Sequence, residues 1–236
     1  MISVCMATFN GEKYIKEQID SILIQLEAED ELIVSDDGST DNTLKIIQTI
    51  NDKRIKLIEN KGIHGYTHNF ENALKESSGD YIFFSDQDDV WLPNKVKTII
   101  PQLKKDNFVI SDAYITDGNL KIKGKLSEWR KYNKGYLRNI YMSIYAGCTC
   151  AFTKKIKDYS LPFPPTKLIQ HDTWIGLLCE LKFNVVYIDE PLIYFRRHNK
   201  NTSGAGSKST KSTFYMFKYR TVLFFETIKR VITRKY

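Results

Sequence analysis

The chain has 236 residues, of which 42% are apolar and 13% aromatic, enough for a sizeable α/β core and too many for a disordered segment. Its net charge of +7 equals the excess between Lys208 and Tyr236, where eight basic residues face Glu226 alone; the preceding 207 residues balance 27 basic against 27 acidic. A neutral body with a basic tail argues against a nucleic-acid partner. No apolar run approaches the ~20 residues that cross a bilayer. The first residues, "MISVCMATFN", lack a basic region followed by a long apolar stretch, so no signal peptide is expected. Cys5, Cys148, Cys150 and Cys179 are scattered and fit reduced thiols of a cytoplasmic protein. The pair in "CTC" lacks the wider ligand spacing of a zinc site.

In chain order, "ISVCMAT" is a short apolar strand, and Ile15, Ile19, Ile22, Leu23 and Leu26 recur at helical spacing. "ELIVSDD" is a second strand; "GSTDNT" then supplies helix-capping residues before Leu44, Ile47 and Ile50. "RIKLIEN" predicts a third strand and "HNFENALKESSGD" a helix with its stop. "YIFFSD" is a fourth strand, Pro93 starts a helix carrying Val96, Ile99, Ile100 and Leu103, and "FVISDAY" is a fifth strand. This alternation predicts a Rossmann-like, mostly parallel sheet with helices on both faces. Beyond about residue 118 the pattern loosens into polar segments, with strand-like runs in "YAGCTCAF" and "FNVVYIDEPLIYFRRH". "NKNTSGAGSKSTKST" reads as a linker, and the last stretch as a basic amphipathic helix with Phe217, Phe224, Ile228 and Val231 or Ile232 on one face.

Ligands of such a sheet sit outside the carboxyl ends of its strands. Three polar clusters fall there: "ATFNGE", "SDDGSTD" and "SDQDD". Asp86-x-Asp88, with Asp89 behind, offers hard oxygen ligands to Mg²⁺ or Mn²⁺ in excess of what capping the next helix requires. Gln87 and Trp91 read as scaffolding. Asp36 and Asp37 suit a base or ribose acceptor site, or else a turn with a helix cap. Asp172, before the apolar run Ile175 to Leu181, reads by itself as a cap, and His171 and His198 by themselves as packed or solvated.

Taken in order, these segments resemble an inverting nucleotide-sugar glycosyltransferase of family 2 with the GT-A fold, over about residues 1 to 200. The resemblance rests on "ATFNGEKYIKEQIDSIL", "IVSDDGSTDNT", "NKGIHGYTHNFENAL", "GDYIFFSDQDDVWLPNKV", "GCTCAF", "HD" and "RRHNKNTSG". "SDQDDVW" is similar to the rhamnosyltransferase-like subgroup of bacterial surface polysaccharide assembly. The resemblance implies a nucleotide-sugar-binding half over 1–118, an acceptor-binding half of the same domain over 119–206, and a basic tail over 207–236. It further implies that Thr8, Asn10, Glu12 and Asn69 lie on the nucleotide side, with Asp37 reading the base and Asp36 nearby. Asp86 would stand at the ribose and metal edge, Asp88 would bind Mn²⁺ or Mg²⁺, and Asp172 would be the catalytic base. His198 would be a late ligand to metal or diphosphate, arriving as "NKNTSG" closes. The sequence departs at Ala7, where many members have proline, and at His171, where an acidic residue is frequent.

The implied reaction is a single displacement: Asp172 takes the acceptor proton while a metal steadies the departing nucleoside diphosphate. The acceptor would be a saccharide or lipid-linked oligosaccharide, and the tail would rest on the inner face of the cell membrane through its basic residues and apolar stripe. In the alternative, the tail helix packs on its own domain. Two rivals remain at this stage. A haloacid-dehalogenase-like phosphatase would use Asp86 as nucleophile, although its motif belongs on a first strand and here three strand–helix units precede it. A non-catalytic nucleotide- or carbohydrate-binding module would have no use for Asp172.

Overall fold

A computed structural model describes residues 1–104, 106–198, 201 and 212–234. The first four strands are β1 (Ile2–Thr8), β2 (Glu31–Asp36), β3 (Ile55–Glu59) and β4 (Tyr81–Asp86), separated by α1 (Ile15–Leu23), α2 (Thr43–Thr49) and α3 (Tyr66–Glu76). There follow β5 (Val90–Trp91), α4 (Lys95–Leu103), β6 (Asn107–Thr116), β7 (Ile122–Lys125), α5 (Leu126–Trp129) and α6 (Tyr136–Tyr141). The chain continues through β8 (Cys150–Thr153), α7 (Lys154–Ser160), α8 (His171–Lys182), β9 (Asn184–Arg196) and α9 (Thr213–Thr233).

One nine-stranded sheet runs in the order β3-β2-β1-β4-β8-β6-β9-β5, with β7 paired to β6. Side chains alternate across it. Val4, Met6, Leu32, Val34 and Phe83 enter one core with Ile15, Ile19, Ile22 and Ile99 of the overlying helices. Cys5, Ile33, Ile82 and Phe84 enter the opposite core with Phe70, Leu74, Trp174 and Leu178. Both faces are covered, which is why these strands read as continuous apolar runs.

The expected α/β architecture is present, and its parallel character is concentrated in the first four strands. From β4 onward the sheet is mixed: β8 pairs antiparallel with β4 and β6, whereas β9 pairs parallel with β6. The register between β6 and β9 shifts twice near Asp112, and the far end of β9 also pairs with β5. That path carries Arg196 and His198 to the loop that follows β4. The helix expected from Pro93 begins at Lys95, and the polar stretch after residue 118 contains β7 and α5, four residues each and too short for any periodicity to show.

The last helix packs on the domain. Leu223 and Thr227 are fully buried, and the Tyr136 hydroxyl pairs with Thr227. Arg230 donates to the carbonyls of Tyr159, Ser160 and Leu161 and lies over the Trp174 ring at 5.1 Å. Arg220 and Arg234 are likewise bonded to backbone carbonyls, so these three basic residues are held by the domain. Of the expected stripe, Phe217, Phe224 and Ile232 face solvent, while Val231 packs inward. The linker expected over 199–213 lies largely outside the described residues, as do Lys208, Lys211 and Lys235. Among the described residues no helix is long and apolar enough to cross a membrane.

If α9 belongs to the core, Leu223→Ala lowers unfolding free energy by about 2–5 kcal/mol, the range for truncating a buried leucine. Chemical denaturation measures this; a loss below about 0.5 kcal/mol is the value of an ordinary surface substitution and would contradict the packing.

Candidate active site

Parallel pairing aligns the carboxyl ends of three strands, with Thr8 opposite Asp36 and Ala7 opposite Asp86. The loops leaving these ends are braced against one another. The Gln87 amide accepts from the Thr8 hydroxyl (2.5 Å) and Phe9 N–H (2.9 Å) and donates to the Phe9 carbonyl (3.0 Å). It fills the space a side chain at position 11 would need, so a residue larger than Gly11 there would push the Gln87 amide away from these bonds. Asn10, at φ +50°, accepts from Thr40 N–H at 2.8 Å, and Glu12 accepts from Asn42 at 3.0 and 2.8 Å, tying the loop after β1 to the loop after β2. Asn69 on α3 donates to the Thr8 and Ser35 carbonyls at 3.2 and 2.8 Å. Thr8, Asn10, Glu12 and Asn69 all line one cavity of about 1250 Å³, with much of their hydrogen-bonding capacity given to holding its wall.

The two adjacent aspartates of "SDDG" part company. Asp36 is buried and accepts from Gly38 N–H (2.9 Å), Ser39 N–H (2.8 Å) and the Ser39 hydroxyl; it builds the turn and is not among the residues lining the cavity. Asp37 does line it, aimed by Asn60 (2.7 Å), His64 (3.0 Å) and Gly65 N–H (2.8 Å).

At the end of β4, Asp86 and Asp88 line the same cavity, and Asp89 is fully buried behind them. Desolvation, with the charges of Asp88 and Asp172 added, pushes the Asp86 pKa up to about 7. Desolvation also raises Asp88, against the pull of His198, and raises Asp89 well above the ordinary value, helped by Asp88 and Asp86. Asp88 Oδ2 meets His198 Nε2 and Asn201 Nδ2, each at 2.9 Å, and His198 stacks on Tyr14 at 5.1 Å. Asp89 Oδ1 accepts from Arg196 N–H at 3.0 Å, whereas its Oδ2 has no hydrogen-bond partner. Arg196 donates to the Asp88 carbonyl at 2.7 Å and pairs with Glu17. Ligand atoms of Asp86, Asp89 and Cys148 lie within 4.8 Å of one another, but burial holds the Cys148 thiol protonated. Clustered carboxylates with an unpaired buried oxygen fit a hard divalent cation, for which oxygen is the preferred donor.

Asp172 stands in the first turn of α8, at the cavity. Its Oδ1 accepts from Thr173 N–H at 2.6 Å, and Asp172 contributes to the rise in the Asp86 pKa, so the two carboxylates share one electrostatic environment. Sequence reasoning missed Asn201, Arg196 and Lys95, and it counted Asp89 among the acidic ligands without its structural role. Asn201 and Arg196 act on partners more than one hundred residues away, and Asp89 supports the end of β9. Lys95 is a fully buried cation whose Nζ bonds the Cys148 carbonyl at 2.7 Å; burial lowers its pKa to about 8 against the raising influence of the nearby acidic groups.

The family model for glycosyl transferase family 2 matches residues 3–159. The chain belongs to glycosyl transferase family 2. An Escherichia coli UDP-Glc:α-D-GlcNAc-diphosphoundecaprenol β-1,3-glucosyltransferase is 33% identical over 75% of this chain and 70% of its own length. The dTDP-rhamnosyl transferase RfbG of Shigella flexneri is 30% identical over 85% of this chain and 74% of its own length. The fold of this family 2 member is that of Staphylococcus aureus TarS residues 1–349 in complex with UDP-GlcNAc, with a TM-score of 0.69 at 22% identity over 95% of this chain and 66% of that one. A Pyrobaculum calidifontis mannosyltransferase in complex with GDP-Man and Mn²⁺ gives a TM-score of 0.60 at 17% identity over all of this chain and 65% of that one. The chain therefore spans about two thirds of these solved chains. Family membership removes the phosphatase alternative.

The raised Asp86 pKa has a stability consequence. The folded chain keeps this proton up to about pH 7, while the unfolded chain releases it near the ordinary value of 3.8. The folded state thus binds more protons in that window, and stability falls as pH rises through it. Metal-free protein is expected to unfold at a lower temperature at about pH 8 than at about pH 5, and Asp86→Asn should flatten that difference. Parallel pH profiles for wild type and variant would contradict the assignment.

Proposed function

We propose that this family 2 glycosyltransferase moves a sugar from a nucleoside diphosphate to a hydroxyl of a lipid-linked saccharide, with inversion, in surface polysaccharide assembly. The observation that carries the reading is the convergence of Asp37, Asp86, Asp88 and Asp172 on one cavity. Asp37, held from three sides, is placed to accept from the N–H of a uracil or thymine base. The relatives' own names favour UDP- or dTDP-linked donors and a hexosyl or rhamnosyl group.

Asp86 and Asp88, with His198 and Asn201 at the Asp88 carboxylate, would hold Mn²⁺ or Mg²⁺ together with the donor diphosphate. When bound, the cation supplies charge stabilisation to the departing diphosphate. The bond between anomeric carbon and phosphate oxygen breaks as the acceptor oxygen bonds that carbon from the opposite face. Asp172 takes the acceptor proton; its Oδ1 is anchored to Thr173 N–H, which orients the carboxylate toward the cavity. A covalent nucleophile is unnecessary for one displacement.

Asp172→Asn is expected to reduce transfer by at least about 10²-fold, the lower range for general-base removal, and to leave donor binding intact. Donor binding is read as a thermal shift with UDP-glucose, UDP-GlcNAc or dTDP-rhamnose, and should require Mn²⁺ or Mg²⁺. Undiminished transfer by this variant would favour a different base; no transfer by wild type from any of these donors would favour the binding-module reading.

The acceptor's lipid would bring the chain to a membrane, and the outer face of α9 supports peripheral contact there. Phe214, Phe217, Phe225 and Ile232 are each more than 60% exposed, with Lys218 and Lys229 exposed among them. Wild type should float with anionic vesicles, and a Phe217→Ser, Phe225→Ser double variant should not. Equal flotation of both would remove this role for α9.

A further inference from the structure

Arg130 follows α5 and lines the same cavity as Asp86 and Asp172. Its place is fixed from β6. Buried Asp112, at the register shift of that strand, accepts from Ser127 N–H at 3.0 Å and from the Ser127 hydroxyl at 2.7 Å, while Leu126 enters the core. The Arg130 guanidinium donates through Nη1 to the Tyr145 carbonyl at 3.1 Å, and the segment from Tyr145 to Cys148 continues the cavity wall.

The other edge of the guanidinium is open. Arg130 is half-buried; its Nε and Nη2 have no partner among the described residues, yet neither atom is sealed from solvent. These two nitrogens share one edge of the planar group, where their parallel N–H bonds match two oxygens of a phosphate. The cavity also holds Asp37, Asp86, Asp88 and Asp172, but among the described residues Arg130 forms an ion pair with none of them. A cation that lines an acidic cavity and is spent on none of its carboxylates is suited to an anion brought by the ligand.

We propose that Arg130 binds a phosphate of the acceptor, gripping two of its oxygens through Nε–H and Nη2–H while Nη1 stays on the Tyr145 carbonyl. The assignment rests on the reading of Asp172 as base and of the acceptor as a lipid-linked saccharide. On that reading the donor diphosphate has its cation at Asp86 and Asp88. Arg130 enters with Tyr145 to Cys148 and Asp172 from the later part of the chain, and the base must touch the acceptor hydroxyl. A phosphate joining sugar to lipid is then the anion left for Arg130. The enzyme would recognise that link together with the sugar, so a phosphate-free sugar would bind poorly. The donor diphosphate carries the same chemistry and is the other source that the test separates.

The test compares wild type, Arg130→Lys and Arg130→Gln, each saturated with UDP and Mn²⁺. The probes are octyl α-D-N-acetylglucosaminide and the same sugar joined to the octyl chain through a diphosphate. Arg130→Gln should bind the diphosphate probe about tenfold more weakly, the loss expected when a charged hydrogen-bonded pair is removed. Arg130→Lys should fall between, because an ammonium keeps the charge and loses the fork. Affinity for UDP and for the octyl glycoside should be unchanged in both variants, which also shows that they are folded. Equal weakening of both probes would mark a structural role, and weakening confined to UDP would assign Arg130 to the donor. Undiminished binding of the diphosphate probe by Arg130→Gln would remove the phosphate contact. Each of these overturns the proposal, as does wild type binding the diphosphate probe no more tightly than the glycoside. Absence of UDP binding by wild type is a separate result, which would remove the donor reading itself.

Discussion

Asp86, Asp88 and Asp89 leave the end of β4 within four residues; Asp89 is fully buried, Asp86 and Asp88 are half-buried at the cavity wall, and desolvation raises the pKa of each. Much of the surrounding structure answers that constraint. Lys95 places a buried cation nearby from α4, over the Trp91 ring at 4.4 Å and bonded to the Cys148 carbonyl. Arg196 reaches in from β9, gives its N–H to Asp89 and its guanidinium to the Asp88 carbonyl, and is itself stacked on Tyr14 at 4.3 Å. His198 and Asn201 meet the remaining face of Asp88. Lys95 and Arg196, the latter also paired with Glu17, do not neutralise three carboxylates; protonation at low pH, or a bound divalent cation at neutral pH, would relieve the remainder. The acidic edge is unfavourable for the isolated fold and suited to a ligand that brings positive charge.

The long crossover of β9 follows from the same requirement. A parallel sheet alone would leave the loop after β4 open on one side. β9 shifts its register with β6 twice near Asp112, stays paired with β6 as far as Thr116 opposite Arg196, and pairs with β5 along its other edge at Ile193 and Tyr194, so its end lies beside the acidic loop. Segments separated by more than one hundred residues thus share one electrostatic cluster. Such a connection is slow to form and rich in non-local contact, which places the cost of the site on folding topology as much as on burial.

The first half of the chain was legible because its strands are buried on both faces and its helices carry a clean one-sided pattern. Asp86 and Asp88 were singled out because carboxylates at a strand end break an apolar pattern abruptly, and Asp172 and His198 because the order of segments resembles a known family. The structure brings His198 to Asp88. Only the resemblance distinguished Asp37 from Asp36; the residues by themselves could not, because neighbours at a strand end point to opposite sides and which one faces the cavity depends on the pairing register. Asn10, Glu12 and Asn69 were placed at the cavity, but their bracing role depends on loops about thirty or more residues apart meeting in space. Lys95 was invisible for a different reason. A lysine in the first turn of an amphipathic helix reads as solvated, and only the position of the Cys148 carbonyl and the acidic loop makes its burial tolerable.

The tail shows how one composition supports two physical roles. Its basic residues and apolar stripe suggested membrane contact, with packing on the domain as the alternative, and Arg220, Arg230 and Arg234 are bound to backbone carbonyls of the domain. Those bonds seat α9 beside α8, with Arg230 over Trp174 and Leu223 in the same core that surrounds His171 through Phe70 and Phe84. The helix that presents Phe217 and Phe225 outward is therefore packed against the helix that carries Asp172. A lipid surface under α9 and an acceptor hydroxyl at Asp172 would then be held at a fixed separation by one rigid pair of helices. The same packing explains why Tyr219 on α9 is influenced by the Asp172 charge and by Thr173: the outer helix reaches the first turn of α8.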